Sequence, residues 1–393
     1  CMNVVSKYVK EDLGLNNAQF GYILGAFSLA YALFEIPTGS LGDRLGPRRV
    51  LTRVVLWWSG FTALTGAAFG FWYLLIVRFL FGMGEAGAYP NAAIVIAKWF
   101  PKAETGRAQS VIWAAGRLGG ALTPLLVIPL VHSVGWRWAF VVLGVVGVVW
   151  AVVWYTWFRD EPSEKPEVSP QEVAYIEAHR NANPKDHRIP WQAIVRQPNL
   201  WALMLMCHLF FYGSYFFTNW SSTYFQEGRG LSEEQTKNFI FLSYFLGAIG
   251  CLVGGYLSDM LVKSHGLKFG RRVVGGGGLA LSAVFFLWAG LTPDNQLAGY
   301  LLAICVLMKD LALPVTFAVC VDIGKRNAGT VTGSMNFAGQ LGGFFITIIF
   351  GIIVEQTHNF NYPLLLIAGC LLVGALLWLK IDPTKTVDLE ARH

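Results

Sequence analysis

The chain of 393 residues is 54% hydrophobic and 15% aromatic, with only 14% charged residues, which is more apolar surface than one soluble core of this length can hide. This composition excludes an ordinary soluble domain and predicts a protein built into the lipid bilayer. Its net charge of +6 sits at the ends of apolar segments, so it reports membrane topology and no nucleic-acid partner is expected.

Polar breaks leave apolar segments at 18–38, 50–68, 71–97, 106–130, 137–158, 199–225, 236–257, 273–291, 297–321, 329–354 and 361–380. Each approaches or exceeds the ~20 residues a helix needs to cross ~30 Å of hydrocarbon. Residues 1–17, with Met2, Val4, Val5, Tyr8 and Val9, read as the outer end of a further helix whose first half precedes Cys1. With that helix the intact protein is expected to have two sets of six. Arg44, Arg48, Arg49, Arg53, Lys98, Lys102, Arg107, Arg159, Lys263, Lys268, Arg271, Arg272, Lys325 and Arg326 then share one side, and Lys7, Lys10, Arg137, Arg229 and Lys237 the other. The richer side is expected to be cytoplasmic. Cys207, Cys251, Cys305, Cys320 and Cys370 lie in or at the ends of apolar segments without ligand spacing, so no metal or cofactor is expected.

In chain order, Tyr31 comes first, at mid-depth of its segment with Glu35 one turn below. A tyrosine there needs a hydrogen-bond partner, either a neighbouring helix or a ligand. Next is a polar turn, Gly39-Ser40-Leu41-Gly42-Asp43-Arg44-Leu45-Gly46-Pro47-Arg48-Arg49. Its glycines permit close backbone approach, and Asp43 can face a helix N-terminus. A weaker echo, Gly255-Tyr256-Leu257-Ser258-Asp259 followed by Gly270-Arg271-Arg272, points to two related halves. The predicted boundaries are 1–158 for the first bundle, 159–198 for a connection, 199–380 for the second bundle and 381–393 for a tail.

The spacing of this turn resembles the signature of the major facilitator superfamily. The resemblance implies an all-α membrane protein of two six-helix bundles related by pseudo-twofold symmetry, around a cavity that opens to alternate sides. In that frame Gly39, Asp43, Arg44, Gly46, Arg48 and Arg49, with Asp259, Arg271 and Arg272, are expected to form gating latches.

Arg78-Phe79-Leu80-Phe81-Gly82-Met83-Gly84-Glu85-Ala86-Gly87-Ala88-Tyr89-Pro90 is similar to a helix of the anion:cation symporter family, which includes hexuronate, aldonate and aldarate carriers. Seven residues separate Arg78 from Glu85, returning them to nearly the same face about 10 Å apart along the axis. Charges at this depth are costly and point to a pathway or to structural ion pairs. Arg117 follows, flanked by Gly116, Gly119 and Gly120. Its forked donors suit a substrate carboxylate; the alternative is pairing with an acidic side chain such as Glu85.

Ser169-Pro170-Gln171-Glu172 has the form of a capping box with proline at the first helical position, predicting a short helix over 170–180. In the second half, His208, Tyr212, Tyr215 and Asn219 form a stripe that lines a cavity or packs between helices. Lys309 and Asp310 lie mid-segment, four residues before Pro314. Adjacent residues point ~100° apart on a helix, so simple mutual neutralisation is not expected. Asn336 and Gln340 share a face, and the resemblance associates the asparagine with substrate.

The expected function is secondary transport, not catalysis: proton-coupled symport of a small organic anion, foremost a sugar acid, by a monomer in a bacterial inner membrane, with sodium in place of protons as the alternative coupling ion. Tyr31, Arg117, Asn336, Gln340, Lys309 and Asp310 are the expected substrate contacts, and Glu85 with Arg78 the proton-coupling pair. Carriage of another anion such as phosphate or an aromatic acid, and antiport, are the alternatives.

Overall fold

The computed structural model describes residues 2–100, 105–179, 197–324 and 328–385. Helices account for nearly all of them: α1 Ser6–Leu13, α2 Asn17–Leu45, α3 Pro47–Gly66, α4 Phe71–Glu85, α5 Ala88–Trp99, α6 Thr105–Trp157, α7 Pro170–His179, α8 Pro198–Asn219, α9 Glu233–His265, α10 Leu267–Leu291, α11 Asn295–Gly324, α12 Ala328–Thr357 and α13 Asn361–Leu377. No strand occurs among the described residues. Every apolar segment predicted to span the membrane is helical where it is described, and among the described residues seven stretches are long and apolar enough to cross it.

Local sequence explains the breaks. Gly135, at φ 80° and ψ 160°, interrupts α6, dividing 53 residues, roughly 80 Å of continuous helix, into two crossings. The segment at 71–97 is also divided, at Ala86 and Gly87. Pro90 has no N–H for the carbonyl of Ala86, so the helix ends one turn before it and restarts as α5. Ser232 caps α9 by accepting from the Gln235 N–H, while the Gln235 side chain accepts from the Ser232 N–H. The predicted helix at 170–180 is present as α7, with Ser169 Oγ accepting from the Glu172 N–H at 3.2 Å.

The chain divides into two compact units. One comprises Cys1–Gly25, Arg117–Ile128 and Arg188–His393, the other Ala26–Gly116 and Pro129–His187. In the first unit α9 packs on α10 and α11, α8 on α12 and α13, and α10 on α11 and α13. Contact between α9 and α11 is at backbone distance: a Cβ on Gly250 or Gly254 would lie 2.4 Å or 2.2 Å from the carbonyl oxygens of Leu307 and Leu311. Two glycines four residues apart put one bare stripe against the neighbour, the arrangement that lets membrane helices associate by close packing. In the second unit α3 packs on α4 and α5.

Candidate functional site

The first unit buries a cluster of charge where α6, α8, α9 and α11 meet. Asp310 and Lys309 of α11 are 0% and 1% exposed. Arg117 Nη2 of α6 lies 2.8 Å from Asp310 Oδ2, with no guanidinium N–H aimed along that line, so the contact is coulombic. Lys309 Nζ turns back and donates to Asp310 Oδ1. The offset between neighbouring helical positions was expected to keep these two apart. It does not, because four methylenes allow the ammonium to fold over Phe210, 4.6 Å from the ring centroid, and reach the carboxylate. The acidic partner that the first unit gives Arg117 is Asp310.

Space and small residues complete the site. Gly247 of α9 faces Asp310 Oδ2, which would lie 2.7 Å from a Cβ there. Arg117, Lys309, Ser214, Ser243, Tyr244, Phe217 and Val306 close around a narrow, tightly packed recess. Cys251 lies against Arg117. Pro314, inside α11, cannot donate to the Asp310 carbonyl one turn earlier, so the helix backbone is loosened at the charged residues. Ser214, Ser243, Tyr244 and Cys251 were not anticipated from sequence. Tyr244 and Cys251 are seven apart, the spacing that marks Arg78 and Glu85, and Arg117 supplies the reason to look there.

The other expected contacts fall elsewhere. Tyr215 of α8 donates to Gln340 Oε1 of α12, Asn219 Nδ2 donates to Thr347 Oγ1 at 2.8 Å, and His208 Nδ1 is 3.0 Å from the Ala338 carbonyl. The α8 stripe thus works mainly as a helix-to-helix seam, and Gln340 has its amide oxygen engaged there. Asn336 is half-buried on the same α12 face.

In the second unit, Tyr31 is 5% exposed and packs on Phe27. Arg78, 8% exposed, lies 4.9 Å and 4.4 Å from the ring centroids of Phe27 and Phe81. It forms no ion pair with Glu85 among the described residues. The guanidinium is held by aromatic faces, an arrangement worth ~2 kcal/mol or more when desolvated.

The two arginine-rich turns have matching local construction. Gly46 and Gly266 stand at φ 82° and φ 88° before α3 and α10, a left-handed conformation that favours glycine. Asp160 Oδ1 accepts from the Arg48 backbone N–H at 2.8 Å, and Arg48 Nε donates to the Tyr155 carbonyl at 2.9 Å. Correspondingly, Lys268 Nζ lies 3.0 Å from Asp382 Oδ2, and Arg272 Nε donates to the Ile381 carbonyl at 2.8 Å. Arg271 bridges Asp259 at 2.9 Å and Asp322 at 3.1 Å. Arg44 and Arg49 are exposed. Gly39 and the Asp43 carboxylate lie outside the described residues.

Long apolar helices around a buried lysine and aspartate, with an arginine paired to them, define a polytopic membrane carrier. The chain belongs to the Major Facilitator Superfamily, whose family model matches residues 1–347. It is a transporter and not an enzyme. It is 33% identical to a probable sulfoacetate transporter of Cupriavidus necator over 100% of this chain and 93% of that one. It is 31% identical to a hexuronate transporter of Bacillus subtilis over 95% and 88%, and 30% identical to a probable L-galactonate transporter of Escherichia coli over 98% and 86%. A bacterial homologue of the human lysosomal transporter Spinster, solved inward-facing and unoccupied, matches with a TM-score of 0.76 at 19% identity over 98% of this chain and 93% of that one, a likeness of fold alone.

Proposed function

We propose that the chain imports a small organic anion with protons by alternating access. The observation that carries this reading is the charge count of the buried cluster: two cations, Arg117 and Lys309, share one carboxylate, Asp310. An uncompensated cation at membrane depth is costly and is neutralised by an arriving anion. Ser214 and Ser243, which line the same recess, already donate to the Phe210 and Phe239 carbonyls and keep lone pairs that can accept from a polyol chain. The substrate class that fits is a hydroxylated or sulfonated carboxylate, in keeping with what the named relatives are said to carry.

Glu85 is the proposed coupling carboxylate. It stands where α4 ends, on the same helix face as Arg78, and among the described residues no ion pair holds it in its charged form. The turns at 39–49 and 255–272 serve as cytoplasmic latches, and a bacterial inner membrane is the proposed location. Reconstituted full-length chain tests the reading. Labelled galactonate, glucuronate and sulfoacetate are offered in counterflow with and without an inward proton gradient. Gradient-driven accumulation of at least one is expected, and failure to exchange any of the three would discard the substrate class.

A further inference from the structure

The cluster that carries the proposed function also assigns a role to Asp310, and the following assignment rests on that function. Formal charges are Arg117 +1, Lys309 +1 and Asp310 −1, leaving a surplus of +1 in a site where Asp310 and Lys309 are fully buried. Among the described residues, the further titratable groups near this pair add no charge in their ordinary forms: Tyr244 and Cys251 from α9, and Cys305 on α11 near Lys309. Of α8, the residues at the recess are Ser214 and Phe217, neither of which titrates.

We propose that Asp310 is a stand-in for the substrate's anionic group on Arg117, and that it takes up a proton when the substrate brings a second negative charge. The contact geometry favours displacement. Arg117 Nη2 lies 2.8 Å from Asp310 Oδ2, the place on the guanidinium that an incoming carboxylate or sulfonate would take. Lys309 keeps hold of Oδ1 from the adjacent position.

Charge counting then sets the proton stoichiometry. A monoanion brings the site from +1 to 0 with Asp310 still ionised. A dianion brings it to −1, and one proton from solution, forming an O–H bond on the Asp310 carboxyl, restores neutrality. Asp310 is thus a specificity-determining residue that lets one site accept monoanions and dianions with different numbers of protons.

The test is calorimetric binding to the unmodified full chain in nanodiscs, repeated in buffers of different ionisation enthalpy to count protons taken up. The probes are galactonate and galactarate, a monoanion and a dianion on matched six-carbon polyol chains. About one proton more per galactarate than per galactonate is expected, and Asp310→Asn, where it folds, removes the difference. Equal uptake for both acids overturns the assignment while leaving anion transport standing. If galactarate alone binds, about one proton per molecule supports the assignment and none overturns it. Binding of galactonate alone overturns it. If neither acid binds, nor sulfoacetate, the anion reading itself falls and takes this assignment with it.

Discussion

Lys309 folds back onto the carboxylate of its chain neighbour Asp310, whose second oxygen faces Arg117 across the helix interface. One carboxylate therefore serves two cations from two helices. Either cation can be removed without stranding Asp310, whereas removal of Asp310 strands both.

That asymmetry orders three substitutions by stability. Arg117→Gln and Lys309→Met each leave a neutral pair and should cost no more than about 1 kcal/mol. Asp310→Asn leaves the buried Lys309 and the part-exposed Arg117 without their counter-charge and should cost ~3–5 kcal/mol, the range for breaking a buried ion pair. Thermal unfolding of the purified variants reads the order; an Asp310→Asn protein as stable as the parent would refute the charge count. Arg117→Lys keeps the charge and loses the fork, so anion affinity should fall about tenfold, ~1.4 kcal/mol.

Glu85 makes a separable prediction. Glu85→Gln should retain counterflow, which needs only binding and the conformational cycle, and lose accumulation driven by a pH gradient. Proteoliposome uptake measures both. Accumulation at the parental level would move the coupling proton elsewhere, with Asp310 the next candidate.

Much of the fold was legible because hydrophobic runs of membrane length allow little besides helices. The site was legible in part. Depth alone marked Arg117, Lys309 and Asp310, since charge is rare among such residues. Their pairing was not legible, because helical angle describes where Cβ points and says little about where the end of a lysine reaches. The division of α4 from α5 was missed for a different reason: Pro90 was visible, but a hydropathy run does not record a lost hydrogen bond. Gln340 was expected at the substrate, and its partner Tyr215 lies 125 residues away in sequence, a distance no local pattern spans.

The bare stripe on α9 predicts a packing defect. Gly254→Ala would set a methyl group 2.2 Å from the Leu311 carbonyl oxygen, a backbone atom that cannot swing aside. Separating α9 from α11 should cost about 1–3 kcal/mol, as overpacking does, and disturb the Asp310 site two turns away. Gly277→Ala on α10, with nothing within 4 Å, is the control and should be neutral. Thermal shift on the two variants decides it, and equal stabilities would count against backbone contact at Gly254.

The last prediction concerns pH near the end of the first unit. Asp382 lies beyond α13. It accepts from Thr384 Oγ1 at 2.6 Å, lies 3.0 Å from Lys268 Nζ, and its backbone N–H donates to Asn199 Oδ1 at 2.8 Å. The Thr384 hydroxyl foremost, then Lys268, hold the carboxyl well below the usual aspartate range. A depressed folded-state pKa means the unfolded chain binds protons first as pH falls. The stabilisation is therefore complete above the unfolded value of ~3.9 and is lost as pH drops through the lower folded value. Asp382→Asn should cost about 1 kcal/mol at pH 7, with the Lys268 share weakened by salt because that side chain is half-exposed. The gap between parent and variant unfolding temperatures should stay constant from pH 7 to about 5 and shrink below about 4. A gap that widens on acidification would show that Asp382 is not held in its charged form.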